Sequence, residues 1–132
     1  MDSAVGQSCV REAVDGRAAR NQALAVGVAF LGIFELRNQQ AAQVRAAETV
    51  QSFSHTRPNG SSFSTALTEA GVSYTRSGEN IAYGQSTPQQ VVQAWMNSSG
   101  HRANILNGSF TTIGVGYTVV GGTAYWAQLF TA

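Results

Sequence analysis

The chain has 132 residues, of which 43% are hydrophobic and 11% charged, and it carries a formal net charge of +1 at pH 7. A domain of this length buries roughly two thirds of the surface its unfolded chain exposes, and so few charges cannot hold it open, which excludes a disordered chain. Nor does so small a net charge create the field that binds nucleic acid or docks a polybasic face on an anionic membrane, so neither is expected as a partner.

Polarity comes instead from 13 Ser, 11 Thr, 11 Gln and 7 Asn, and all eight cationic side chains are Arg. The lone cysteine, Cys9, cannot close a disulfide within the chain and reads as an inert thiol. Residues 10–21 make a plausible but poor helix, because Gly16 interrupts it at a cost of ~1 kcal/mol relative to Ala. The longest apolar run, residues 23–34, would span roughly 18 Å as a helix against a bilayer core of ~30 Å, so no transmembrane span is expected. A signal-peptide core has this length, but the arginine-bearing stretch before it is long and also acidic, and no clean cleavage site follows. The run is read as a buried strand, or as a loop leading into one.

Residues 35–51 are the first well-patterned helix, rich in Ala and Gln, with Leu36, Ala41, Val44, Ala47 and Val50 near helical spacing. Residues 54–62 are a loop, because Arg57 precedes a proline and Asn59-Gly60 suits positive φ. A short helix follows, with Ser61 or Ser62 as its cap and Gly71 as its stop. Residues 81–83 are a short strand. Thr87-Pro88-Gln89-Gln90 then supplies an N-cap, a proline at the first helical position and a Gln three residues beyond the cap, which predicts a helix from Pro88 to about Asn97. A second short helix begins after the break at Ser98-Ser99-Gly100.

Residues 113–120 and 124–131 alternate about Gly121-Gly122, a two-residue hairpin turn, which pairs Ile113 with Phe130, Val115 with Gln128 and Tyr117 with Trp126. Both faces of this hairpin are expected to be largely buried, with Trp95, Tyr117, Trp126 and Phe130 in the core. A small, mainly antiparallel sheet covered on both sides by amphipathic helices is an α/β fold, a three-layer α-β-α sandwich. No repeat or linker divides residues 1–132, so one domain is expected, with residues 35–132 as its well-patterned part.

The chain holds two histidines, His55 and His101, each beside polar or turn-forming neighbours. Two imidazoles brought together can hold a divalent cation or share acid/base work. Spacing alone leaves them equally readable as unrelated surface or capping side chains. Glu79, between Gly78 and Asn80 and ahead of an apolar stretch, is the carboxylate best placed at a cleft, or else it accepts backbone N–H bonds at a turn. Arg102 is open to a structural pairing with a carboxylate or with carbonyls.

Whole phrases carry a resemblance: AAQVRA (41–46), FSHTRPNG (53–60), GENIAYG (78–84), AWMNSSGHRANIL (94–106), IGVGY (113–117) and YWAQLF (125–130). In this order and spacing they are similar to the CAP domain of cysteine-rich secretory proteins, antigen 5 and pathogenesis-related proteins, in its compact bacterial SCP-like branch. The resemblance implies an α-β-α sandwich whose central cleft gathers two histidines and two acids that bind a divalent metal in some members. His55, Glu79 and His101 match three of those four positions. The fourth, a Glu in larger members, is Ser98 here. Residues 1–34 follow the family pattern only loosely.

From that resemblance the chain is expected to be a secreted or cell-surface domain, a monomer, whose His/Glu cleft binds an extracellular or cell-wall ligand: a glycan, peptide, lipid or sterol. His55 and His101 are the expected ligands of a weakly held Zn²⁺ or other divalent cation, and Ser98, Asn80 and Arg102 the expected ligand contacts. The alternative is a metal-assisted hydrolase of peptide or cell-wall bonds, with His55 and His101 holding the metal and Glu79 as general base.

Overall fold

The computed structural model describes residues 35–132. Cys9, the helix expected over residues 10–21 and the apolar run 23–34 lie outside the described residues. Helix α1 covers residues 35–51, followed by α2 (Ser64–Glu69), β1 (Ser77–Tyr83), α3 (Pro88–Met96), α4 (Ser99–Leu106), β2 (Thr112–Val120) and β3 (Thr123–Thr131). The three strands form one antiparallel sheet in the order β1-β3-β2.

The hairpin register is the expected one, with Ile113 opposite Phe130, Val115 opposite Gln128 and Tyr117 opposite Trp126. Gly121 and Gly122 both take positive φ, at 60° and 81°, the backbone that a tight two-residue hairpin turn demands. Strand β1 is longer than the apolar residues 81–83 suggest. It starts at Ser77, because Ser77, Gly78, Glu79 and Asn80 pair with Thr131, Phe130, Leu129 and Gln128 of β3. Glu79 therefore sits within a strand, and not in a turn ahead of one.

Side chains alternate across the sheet and assign a helical layer to each face. Ile81, Ala127 and Leu129 pack against Ala41, Ala42 and Ala46 of α1 and, through Leu67, against α2. On the opposite face Ala82, Ala124 and Trp126 pack with Val91 and Trp95 of α3, and Ile105 of α4 joins them. This is the three-layer α-β-α arrangement.

Helix α1 has the expected extent but buries a different stripe. Leu36 and Val44 are exposed, whereas Asn38, Ala41, Ala42, Arg45, Ala46 and Thr49 are all at most 1% exposed. The reason lies across the interface. A Cβ added at Gly114 would fall on the Asn38 carbonyl, and one at Gly116 on the Ala42 carbonyl, so α1 rides on the bare backbone of β2 and its small side chains face the sheet. The same approach closes the sheet's edge. Gln39 Oε1 accepts from the Val115 amide at 3.1 Å, Gln43 Oε1 from the Tyr117 amide at 3.0 Å, and Gln43 Nε2 donates to the Tyr117 carbonyl at 2.8 Å. Groups that would otherwise template another strand are thereby occupied.

Helix ends follow local chemistry. Thr87 Oγ1 accepts from the Gln90 amide at the start of α3, and Gln90 Oε1 reaches back to the Ser86 amide at 2.8 Å. The cap residue of α2 is Phe63 and not Ser61 or Ser62, although Ser62 Oγ still accepts from the Ser64 amide. Gly71, at φ 84°, ends α2: its amide bonds Thr68 O while that of Val72 bonds Leu67 O, a Schellman stop. Trp95, Trp126 and Phe130 are buried as expected, but Tyr117 is 44% exposed and Val119 and Val120 are exposed with it. Tyr117 lies against Trp126, ring centroids 4.4 Å apart, with its outer side in solvent.

Candidate functional site

A cleft of about 330 Å³ opens beside β1 and is lined by His55, Glu79 and Asn80 on one side and by Ser98, Gly100, His101 and Asn104 on the other. Three separate segments supply these groups. His55 comes from the loop after α1, Glu79 and Asn80 from β1, and the rest from the α3–α4 junction and the first turns of α4. His55, Glu79, Asn80, Ser98 and His101 are thus brought together. Arg102 is not, because its side chain is exposed and does not line the cleft, being turned away by one helical step from His101.

Glu79 is the hub. Its side chain is wholly buried, as is that of Arg45, and the two meet in a fork: Arg45 Nε donates to Oε2 at 2.6 Å and Nη2 to Oε1 at 3.2 Å. Glu79 Oε1 also lies 2.7 Å from His55 Nδ1. A carboxylate can only accept, so Nδ1 is the protonated ring nitrogen of His55, and in the neutral ring Nε2 carries the lone pair. The expected acceptance of backbone N–H groups by Glu79 is replaced by a guanidinium and an imidazole.

His55 itself is nearly half exposed on its side chain, so its loop must be held from behind. The Phe63 amide bonds the His55 carbonyl at 2.9 Å and the Arg57 amide bonds the Ser61 carbonyl at 2.7 Å. Gly60, at φ 89°, makes the turn that the Asn59-Gly60 pair promises. Arg57, only 6% exposed, anchors the loop to both neighbouring helices. Its Nη2 bonds Glu48 Oε2 of α1 at 2.9 Å, and its Nη1 reaches Glu69 of α2 at 3.0 Å and Thr65 Oγ1 at 2.8 Å. Glu48 in turn accepts from Arg45 Nη1 at 2.8 Å.

These ion pairs shift the groups in them. Burial opposes the Arg45 charge, yet hydrogen bonds and charge from Glu79, then Glu48, hold its pKa above the ordinary value. Burial likewise acts to raise the Glu48 carboxyl, but Arg57 and Arg45 outweigh it and keep the group below its ordinary 4.5. Arg57 is raised, chiefly by its hydrogen bonds to Glu48 and Glu69.

On the opposite wall His101, 8% exposed, places Nδ1 at 2.8 Å from Ser98 Oγ. Ser98 occupies the N-cap position of α4 but makes no cap hydrogen bond, its hydroxyl being turned to the imidazole. Beneath them Asn80 donates from Nδ2 to the His101 carbonyl and to Gln128 Oε1, both at 3.1 Å, and accepts from Asn104 Nδ2 at 2.9 Å. Asn80 is wholly buried and its side chain is committed to tying α4 to the sheet.

As a metal site the donor set is thin. Among the described residues no group of three or more His, Cys, Asp or Glu side chains is arranged to hold a metal ion, and the Glu79 oxygens are spent on Arg45 and His55. Arg45, Glu48 and Arg57 are the residues that sequence reasoning misses. One signal for them exists: Arg45 falls three and four residues after Ala42 and Ala41, and a cation on a buried stripe requires a partner.

Comparison with known proteins agrees with this architecture. The model of the cysteine-rich secretory protein family (CAP) matches residues 37–130. The uncharacterized protein YkwD of Bacillus subtilis (strain 168) is 53% identical over 78 residues, 59% of this chain and 30% of that protein. A crystal structure of an extracellular protein containing an SCP domain from Bacillus anthracis superposes with a TM-score of 0.64 at 32% identity, over 72% of this chain and 31% of that one. An outer surface protein of Borrelia burgdorferi shares the fold, with a TM-score of 0.67 at 19% identity, over 99% of this chain and 98% of its own. The chain thus spans under a third of the length of YkwD and of the Bacillus anthracis protein. Among the described residues no helix is long and apolar enough to cross a membrane.

Proposed function

This chain belongs to the cysteine-rich secretory protein family, and from that premise we propose that it acts as a secreted or cell-envelope binding domain. The extracellular and outer-surface placement of the Bacillus anthracis and Borrelia burgdorferi proteins supports that location. Its cleft takes a polar extracellular ligand, a glycan or a peptide. The observation that carries this reading is the lining: every side chain in the cleft is a His, Glu, Asn or Ser. A cleft of about 330 Å³ is at the small end of ligand sites, which run from roughly 300 to 1,000 Å³ and are mostly apolar. Its His and Ser side chains offer hydrogen bonds to sugar hydroxyls or peptide groups, while Glu79 and Asn80 brace the walls.

A divalent cation such as Zn²⁺ would be held by His55 and His101 alone. The Nδ1 contacts of both rings, to Glu79 and to Ser98, resemble the outer partners that orient imidazole ligands. Two protein ligands make binding weak and exchangeable, and the bound ion would supply a Lewis acid to a ligand oxygen. Glu79 is a positioning group in this reading and not a general base, since Arg45 and His55 engage both its oxygens.

The test is binding of wild type, His55→Ala and Ser98→Ala to purified peptidoglycan and to its soluble glycan and peptide fragments, with and without Zn²⁺. Loss of binding in both variants is the expected result. Equal binding by all three proteins, or binding only to lipid vesicles, would overturn the assignment of the cleft. Turnover of casein or peptidoglycan that disappears in His55→Ala would favour the hydrolase instead.

A further inference from the structure

We propose that Arg45 is the positioning residue of the cleft, setting both the ring tautomer and the backbone placement of His55 without itself touching a ligand. The inference rests on the reading of His55 as the ring that faces the ligand. Arg45 does not line the cleft and is wholly buried, yet all three of its guanidinium nitrogens are engaged. Nε and Nη2 take the two oxygens of Glu79, Nη2 also donates to the Ser54 carbonyl at 2.6 Å, and Nη1 holds Glu48.

Two of these contacts converge on His55 by different routes. Ser54 O belongs to the peptide group that leads directly into His55, so one guanidinium grips the main chain next to the imidazole. Through Glu79 the same guanidinium fixes the ring. The short bond from Nε holds Oε2, which leaves Oε1 aimed at His55 Nδ1. A planar fork with fixed donor directions can do both at once, whereas a lysine ammonium is a point charge on a flexible stem and cannot span Glu79, Ser54 and Glu48 together. Glu48 carries the hold further, because it also binds Arg57 on the far side of the same loop.

The experiment is long-range ¹⁵N–¹H spectroscopy of the histidine rings of the whole chain at neutral pH, with His101 as internal control. Wild type is expected to show His55 protonated on Nδ1, and Arg45→Lys a mixture of tautomers at His55 with the His101 signals unmoved. A fall of roughly tenfold in Zn²⁺ affinity should accompany it, the scale typical when an outer partner of a ligating imidazole is lost. Arg45→Gln provides a second arm. One side-chain amide can hold a single Glu79 oxygen but not both oxygens and the Ser54 carbonyl together, so the same mixture of tautomers is expected at His55.

A wild-type His55 protonated on Nε2, or a tautomer unchanged in Arg45→Lys and in Arg45→Gln, would overturn the proposal. If Arg45→Lys does not fold, the Arg45→Gln spectrum decides alone. Failure of wild type to bind Zn²⁺ would count against the cation reading above and leave the tautomer comparison to judge Arg45.

Discussion

Arg45 and Glu79 meet as an ion pair with neither side chain reaching solvent, although they stand 34 residues apart in the chain. The pair joins α1 to β1 and ends at His55, so the stability of the fold and the geometry of the cleft depend on the same contact. Removing Glu79 takes away the one partner that is itself wholly buried and leaves the Arg45 charge facing only the part-exposed Glu48 carboxylate.

Glu79→Ala should therefore lower stability by about 3–5 kcal/mol, the range for breaking a buried pair from one side. Replacing both residues together, Arg45→Met with Glu79→Leu, should cost less than Glu79→Ala alone, since no charge is stranded. Urea unfolding of the two variants checks this, and a double variant worse than the single one would refute it.

Gly116→Ala should destabilise through α1 and not through the strand. The added methyl falls on the Ala42 carbonyl, so the helix must shift off the sheet, and overpacking of this kind costs typically 1–3 kcal/mol. Gly108→Ala meets nothing within contact distance and should leave the thermal midpoint nearly unchanged, which makes it the control for intrinsic glycine effects.

Acid sensitivity should trace to Glu48. Its folded pKa lies below the ordinary 4.5, so the stability it contributes is complete above that value and is lost as pH falls through the depressed one. Thermal midpoints should hold between about pH 6 and 5 and drop below about 4. Glu48→Gln should be less stable than wild type near neutrality and show a shallower fall in acid. Parallel curves for the two proteins would exclude Glu48 as the source.

Thr87→Ala should cost about 1 kcal/mol, the usual loss when an N-cap oxygen is removed, because the Gln90 amide then has no acceptor. Thr87→Ser should recover most of it. Circular dichroism during denaturation reads both, and equal stability of Ala and Ser variants would rule out a capping role.

Much of the fold is legible in the chain because its signals are local. The helix over residues 35–51, the capped start at Thr87, the Gly71 stop and the register about Gly121-Gly122 each follow from neighbours within a few residues. Errors arise where a distant segment decides. The apolar spacing through Leu36 and Val44 points to the wrong stripe of α1, since the backbone of Gly114 and Gly116 accepts only small side chains there. The polar stretch Gly78-Glu79-Asn80 reads as lying outside a strand, because its partners on β3 are some fifty residues away.

The candidate site divides the same way. Phrases shared with a family name His55, Glu79 and His101, and the chain by itself determined which groups could do chemistry and what local backbone would present them. It could not determine that Glu79 is held by Arg45, that Ser98 faces His101, or that Arg102 points away. Those are outcomes of burial. Once α1 closes over the sheet, a carboxylate and a guanidinium have no water to turn to, and only the folded geometry says which partner each one finds.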